Sequence, residues 1–258
     1  MTRSRRRIAV IMLLPGCNMS CRFCVTGTAV SSMTESQARG LLVRLQAKGF
    51  ENVVLGGGEP FLWGPGVLAL SEAAKATGFF VQVGTNGVAL PRDFARVACI
   101  DRYVLPLESM DPRIHDGMRP FARGRQGSHH ALILERLETL RAAGKSVTVS
   151  TLVTAENIDD LPPIARHIEA YRRAGAAVHA WHLYKFIPEG RGGSRSADRF
   201  AITDAAYHDA ADAVKRDFPA LRIYKRPDMY HSRDVDFFWH EGDALRIGSQ
   251  VWGRQAVG

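Results

Sequence analysis

Six short apolar runs alternate with amphipathic segments along this chain, and glycine or proline marks most of the joints. Apolar Ile8–Leu14 reads as the first strand; its lack of polar alternation suits a strand buried on both faces of a parallel sheet. Thr34-Glu35-Ser36-Gln37 is a capping box that opens a helix to about Lys48, with Gly49 as its stop. Strand Val53–Leu55, helix Leu68–Lys75, strand Phe79–Val83, a short helix Asp93–Val97 and strand Tyr103–Leu107 follow. Ser128 caps a helix through Ala143, and Ser146–Val153 is a strand rich in β-branched residues. Helix Asp159–Ala174, strand Val178–Ile187 and helix Thr203–Asp217 complete the series. This order specifies a parallel α/β architecture, and six repeats are too few to close an eight-stranded barrel.

Between the first strand and the first helix lie Cys17, Cys21 and Cys24, in the run Pro15-Gly16-Cys17-Asn18-Met19-Ser20-Cys21-Arg22-Phe23-Cys24. The chain has four cysteines, and the fourth, Cys99, sits in an apolar stretch where it reads as a small buried hydrophobe. A zinc site takes four ligands in paired short spacings, and no second pair follows. A disulfide framework takes a dense, even set, which four cysteines in 258 residues do not make. The C-x3-C-x2-C spacing instead offers three thiolates, one fewer than an iron–sulfur cubane usually takes from protein. One iron would be left for something that is not protein. A coincidental trio is the plain alternative, which the rest of the chain can test.

The trio, with aromatic Phe23 before its last cysteine, resembles the cluster loop of the radical S-adenosylmethionine (SAM) superfamily. One strand–helix unit later, Gly57-Gly58-Glu59-Pro60 resembles the motif that receives the methionine amino group in that family. An ammonium needs an acidic side chain and carbonyls, and glycines let the backbone come close. Gly84-Thr85-Asn86-Gly87 resembles the third-strand segment near the adenosine, although Asn-Gly also favours turns in its own right. Leu107-Glu108-Ser109-Met110-Asp111 resembles the fourth-strand segment of the molybdenum-cofactor and viperin branches, with Pro106 and Glu108 where those members carry Ser and Asp. Ser109 and, on the fifth strand, Ser150 are candidates for SAM contact, and Asn157 is a poorer one. The motifs follow the C-terminal ends of successive strands, where parallel α/β barrels place their sites.

The resemblance covers roughly residues 8–190 and implies a partial (β/α)6 barrel over residues 1–218. Residues 219–258 are expected to form a short C-terminal cap, with short strands near Ile223 and Phe238. The resemblance implies one [4Fe–4S] cluster on Cys17, Cys21 and Cys24, with SAM on the open iron. Phe23, Gly57, Gly58, Glu59, Pro60, Thr85, Asn86, Ser109 and Ser150 would surround these cofactors. It further implies reductive cleavage of SAM to methionine and a 5′-deoxyadenosyl radical that abstracts hydrogen from substrate. Such an enzyme is an oxidoreductase or lyase fed by a reductase such as flavodoxin or ferredoxin. The expected substrate is a small, anionic, nucleotide-like molecule. A peptide or sugar intermediate, and a non-catalytic iron–sulfur electron carrier, are the alternatives.

Lys185, Arg191 and Glu108 are the candidate substrate contacts, the two cations as anchors for a phosphate or carboxylate. Solvated cations at a loop edge are the plain alternative. Gly190–Ser196 reads as a mobile loop over the site, and His115, His129 and His130 read as surface histidines without partners at ligand spacing. Tyr230-His231-Ser232-Arg233-Asp234 is a further candidate for substrate contact from the cap. The net charge of +8 permits an anionic substrate and equally suits a solvated basic surface; no nucleic-acid partner is expected. No apolar run is long enough to span a membrane. Too short an apolar stretch follows Arg3-Ser4-Arg5-Arg6-Arg7 for a signal peptide, so the chain is expected in the cytoplasm.

Overall fold

The computed structural model describes residues 7–122, 124–228 and 234–252. Its strands are β1 (Arg7–Met12), β2 (Phe50–Gly56), β3 (Phe80–Gly84), β4 (Arg102–Pro106), β5 (Ser146–Val153), β6 (Val178–Lys185), β7 (Ile223–Arg226), β8 (Val235–Glu241) and β9 (Ala244–Ile247). The helices are α1 (Glu35–Ala47), α2 (Val67–Ala76), α3 (Pro112–Met118), α4 (His129–Ala142), α5 (Leu161–Arg173), α6 (Gly190–Gly193), α7 (Ala197–Phe200), α8 (Asp204–Asp217) and α9 (Gly248–Trp252). The expected capping box is present: Thr34 Oγ1 accepts from Gln37 N at 3.2 Å, and Gln37 Oε1 accepts from Thr34 N at 2.8 Å. Ser128 caps α4 as expected. Asp93–Val97 is a single 3-10 turn over Phe94–Arg96. The additional helix α3 starts on Asp111, whose side chain caps Arg113 N ahead of Pro112 at the first helical position.

All strands lie in one open sheet of order β7-β6-β5-β4-β3-β2-β1-β8-β9, parallel except for the β8–β9 pair. The six expected strand–helix units thus form a partial barrel. Among the described residues beyond 218, β7 extends that sheet beside β6, and β8 extends it beside β1. Their apolar residues explain why. Ile223 is buried with the main core, and Phe238 packs edge-on against Phe50 with ring centroids 5.7 Å apart.

Along each strand, alternate residues face the helices. Ile11, Leu55, Val83, Leu105, Val149 and Leu183 are all buried in that outer core. The other set faces the lumen, because residues paired across parallel strands point the same way. Arg102 lies in the lumen, where it donates to Ser146 Oγ at 3.0 Å and Gln82 Oε1 at 3.3 Å, over the Phe80 ring. Nearer the strand ends run two further rows, Pro106–Ser150–His182–Tyr224 and Leu152–Tyr184–Arg226.

Tyr207 of α8 fastens β7 to β6. Its hydroxyl donates to Leu183 O at 2.7 Å and accepts from Arg226 N at 2.8 Å. Tyr207→Phe leaves a buried carbonyl and an N–H without that partner, a loss of about 1–3 kcal/mol. Urea unfolding should show it, and a change below about 0.5 kcal/mol would refute this role for the hydroxyl.

Candidate active site

The loop from Leu13 to Thr34 contains no strand or helix beyond bridges at Met19 and Ser31, so its backbone groups must find partners elsewhere. Besides β8, whose His240 O accepts from Ser31 N, three segments supply them. The turn after β2 lies backbone against backbone: Gly58 N donates to Leu14 O at 2.6 Å and Glu59 N to Gly16 O at 2.9 Å. A Cβ on Gly58 would sit 1.9 Å from Gly16 O, and Gly57 holds φ at 130° with its Cβ position 2.6 Å from Leu14 O. These glycines therefore serve close approach to the loop itself. The chain after α3 forms a short ladder with it: Ser20 N to Pro120 O (2.8 Å), Arg22 N to Met118 O (3.1 Å) and Ala122 N to Asn18 O (3.0 Å). From the far side, α6 donates Arg191 N to Thr26 O and Gly192 N to Cys24 O, at 3.2 and 3.0 Å.

Gly190–Ser196 is therefore not a mobile loop but a clamp. A Cβ on Gly190 or Gly192 would come within 2.6 Å of the Val25 or the Cys21 and Cys24 backbone. Arg191 Nη1 donates to Pro15 O at 2.7 Å, so this candidate substrate contact also helps to hold the same loop.

Cys17, Cys21 and Cys24 are all free thiols, and Cys17 and Cys24 each act electrostatically on Cys21. N–H groups approach two of the three sulfurs, those of Cys17 and Cys21. Met19 N donates to Cys17 Sγ at 3.4 Å, Asn86 Nδ2 to Cys17 Sγ at 3.5 Å and Arg119 Nη1 to Cys21 Sγ at 3.6 Å. Burial pushes the Cys21 thiol up to about 11, with Arg119 opposing, and burial also raises Cys17. Among the described residues no His, Cys, Asp or Glu trio is drawn around a single metal ion. Three cysteines on one loop, with N–H donors at the Cys17 and Cys21 sulfurs, fit a cubane, which takes each ligand at a different iron corner. Cys99 lies apart, half-buried against the outer core.

Glu59 is fully buried. Its Oε1 accepts from Phe61 N at 3.2 Å and Thr85 Oγ1 at 2.8 Å, and its Oε2 from Asn86 N at 2.8 Å. Burial raises this carboxyl while the three donors hold it down. A carboxylate offers about four acceptor positions, so one place on Oε2 remains for an ammonium. Pro60 starts the 3-10 turn that follows. Thr85 and Asn86 thus join Glu59 to the cysteine loop: Asn86 Nδ2 also donates to Asn18 Oδ1 at 2.7 Å.

His115, His129 and His130 are buried, against the surface placement expected. Glu108 N can only donate, so His115 Nδ1 accepts from it at 3.1 Å and His115 Nε2 carries a proton. That proton is donated to His129 Nδ1 at 2.8 Å, and His129 Nε2 donates in turn to Asn86 O at 2.8 Å. Burial keeps both rings neutral, holding His115 well below the usual imidazole range and His129 at about 4. Sequence reasoning missed these bonds because their partners come from the ends of β3 and β4 and from the separate helices α3 and α4.

The remaining expected residues separate. Ser109 is fully buried and bonded to Asp160 and Asp111 N, so its hydroxyl is committed to a turn. Asn157 ties Glu108 O to Leu152 O through its Nδ2, at 2.6 and 2.8 Å. Lys185 pairs with Asp204 on the helix side of the sheet, away from the lumen. Glu108 is fully buried, paired with Arg119 at 2.6 Å and bonded to Leu152 N at 2.6 Å. Phe23 packs with Phe186 and Phe200 under the Arg119 guanidinium, 4.8 Å from the ring centre. Ser150 does line the lumen, half-buried. Tyr230, His231, Ser232 and Arg233 lie outside the described residues.

Residues 11–168 match the Radical SAM superfamily. The chain belongs to that superfamily. Members of that superfamily use a [4Fe–4S] cluster and SAM. A curated relative, the S-adenosylmethionine-dependent nucleotide dehydratase of Lacinutrix mariniflava, is 25% identical over 211 residues, spanning 77% of this chain and 42% of the relative. SuiB of Streptococcus suis bound to precursor peptide SuiA superposes with a TM-score of 0.69 at 13% identity, over 86% of this chain and 49% of SuiB. The enzyme anSMEcpe with bound AdoMet superposes with a TM-score of 0.64 at 14% identity, over 84% of this chain and 63% of its own. The radical SAM chain thus spans less than half of its curated relative's length. No helix among its described residues is long and apolar enough to cross a membrane.

Gly58→Ala should lower iron incorporation several-fold on anaerobic reconstitution, because neither backbone at the 1.9 Å contact can yield without moving the cysteine loop. Wild-type iron content would refute that. His129 gives a pH dependence. Its folded value of about 4 lies below the unfolded 6.5, so its stabilising contribution is complete above 6.5 and lost as pH falls towards 4. The expected slope is about 1.4 kcal/mol per pH unit for this group. Urea unfolding at pH 6.5 and 5.5 should show a smaller drop in His129→Asn than in wild type, and equal drops would count against the neutral chain.

Proposed function

We propose that this chain is a radical SAM enzyme acting on a small, anionic, nucleotide-like substrate, with Cys17, Cys21 and Cys24 as cluster ligands. When bound, the cluster and SAM supply one-electron cleavage of SAM and a 5′-deoxyadenosyl radical that takes hydrogen from substrate. Glu59 and the carbonyls of its glycine turn would hold the methionine ammonium, and Ser150 lies on the lumen wall where it can orient a bound molecule. The electron would come from a small reductase of the flavodoxin or ferredoxin kind.

The observation that carries the substrate reading is the lumen wall on β6 and β7. His182 and Tyr224 meet edge to face at 5.4 Å, His182 Nδ1 lies 3.4 Å from the Tyr184 hydroxyl, and Arg226 lies over the Tyr224 ring at 5.4 Å. Burial, then Arg226, lowers His182 to about 3, so it faces the lumen as a neutral ring. No carboxylate pairs with Arg226 among the described residues, and Tyr224 is 39% exposed. A part-exposed tyrosine whose ring carries a guanidinium without a carboxylate partner suits a base with its phosphates: aromatic stacking takes the base, and the planar fork takes the oxyanion. Arg226 therefore replaces Lys185 and Arg191 as the candidate anion contact. The curated relative, a nucleotide dehydratase, supports the same substrate class.

The test is 5′-deoxyadenosine release from the reconstituted enzyme with SAM and reductant, across nucleoside triphosphates, sugar phosphates and peptides. Nucleotides should raise the rate, and Arg226→Gln should raise the KM for them about tenfold or more. Stimulation by peptides or sugars with none by nucleotides would overturn the reading.

A further inference from the structure

Arg119 plays no part in the sequence reading, yet the fold delivers it to a cysteine sulfur. It follows α3 directly and stands in the segment that forms the ladder with Asn18–Arg22. Its Nε and Nη2 both engage Glu108 Oε1, at 2.6 Å, while Nη1 reaches Cys21 Sγ at 3.6 Å. Glu108 is held in turn: Oε2 accepts from Leu152 N at 2.6 Å, and its backbone N–H starts the histidine chain. The Phe23 ring covers one face of the guanidinium, and the Arg119 side chain is only 15% exposed. A fixed cation, a fixed anion and one sulfur therefore share a site that largely excludes water. Charges there interact far more strongly than on a surface.

We propose that Arg119 is a positioning residue that tunes the cluster through Cys21: its guanidinium donates to the Cys21 thiolate and favours the reduced, more negative cluster. Glu108 holds the guanidinium in place and offsets part of its charge. Cluster potentials respond to net charge, hydrogen bonds to sulfur and solvent exposure, and Arg119 changes all three at this corner. One-electron reduction adds one negative charge to the cluster and needs only the external reductant already assigned, so the arginine eases electron entry without itself changing oxidation state.

This inference rests on the three cysteines being the cluster ligands, and the experiment separates the two. Wild type, Arg119→Gln, Arg119→Lys and Glu108→Gln are reconstituted anaerobically, checked for iron and sulfide per chain, and titrated with a low-potential reductant without SAM. The reduced cluster is followed by electron paramagnetic resonance. Failure of wild type to assemble a cubane sinks the ligand reading. Given a cubane, the midpoint potential should move more negative in Arg119→Gln and less negative in Glu108→Gln, with Arg119→Lys between wild type and Arg119→Gln. Structural damage would not give opposite signs for the two partners. An unchanged midpoint in Arg119→Gln, or shifts of the same sign in both, would overturn the inference. Should Arg119→Gln assemble no cluster, Glu108→Gln still decides: a midpoint that stays put or moves more negative overturns it.

Discussion

The site depends on backbone hydrogen bonds that a loop without secondary structure cannot make for itself. The cysteine loop is suspended between the turn after β2, the chain after α3 and the short helix α6, and all three hold it by main-chain hydrogen bonds. Close approach on two sides requires glycine. Gly57 and Gly58 admit Leu14 and Gly16; Gly190 and Gly192 admit Val25 and the Cys21 and Cys24 backbone. Side chains then act on sulfurs whose positions are already set by peptide groups. A rigid carrier of this kind is what a reactive centre needs if a radical is to meet only its intended partner.

A second layer is polar and continuous. Glu59 collects Thr85 and Asn86; the Asn86 carbonyl receives His129; His129 receives His115; and His115 receives the Glu108 amide, beside which Arg119 reaches Cys21. The ends of β2, β3 and β4 are thus joined by groups buried in nearly every case and each given a partner. In a low-dielectric interior such a network is costly if broken and specific if whole. It ties the methionine side of the site to the cysteine side without a covalent link.

Much of this was legible in the sequence. The six strand–helix units, the capping box at Thr34 and the cysteine and GGEP loops depend on local pattern, and local pattern is where sequence speaks clearly. The rest depends on partners far away in the chain. Gly190-Arg191-Gly192-Gly193 has the composition of a mobile loop, and only its neighbour, the Cys24 segment, makes it a clamp. Lys185 and Arg191 looked like substrate anchors because a charge in sequence carries no record of its counter-ion; Asp204 and the Pro15 carbonyl claim them. The histidines looked exposed because nothing near them in sequence could satisfy their nitrogens. Ile223 and Phe238 were visible as short strands, but not that they would extend opposite sides of one sheet.

The reach of the clamp bears on how the protein is made. Arg191 and Pro15 are separated by 176 positions, and closing so long a loop carries an entropic cost that only a nearly complete barrel can offset. A nascent chain that has exposed its three cysteines but not yet residue 193 has thiols without the far wall of their cradle. Holding the metal centre is therefore a property of the finished barrel, and the order of synthesis places the cysteines first and their support last.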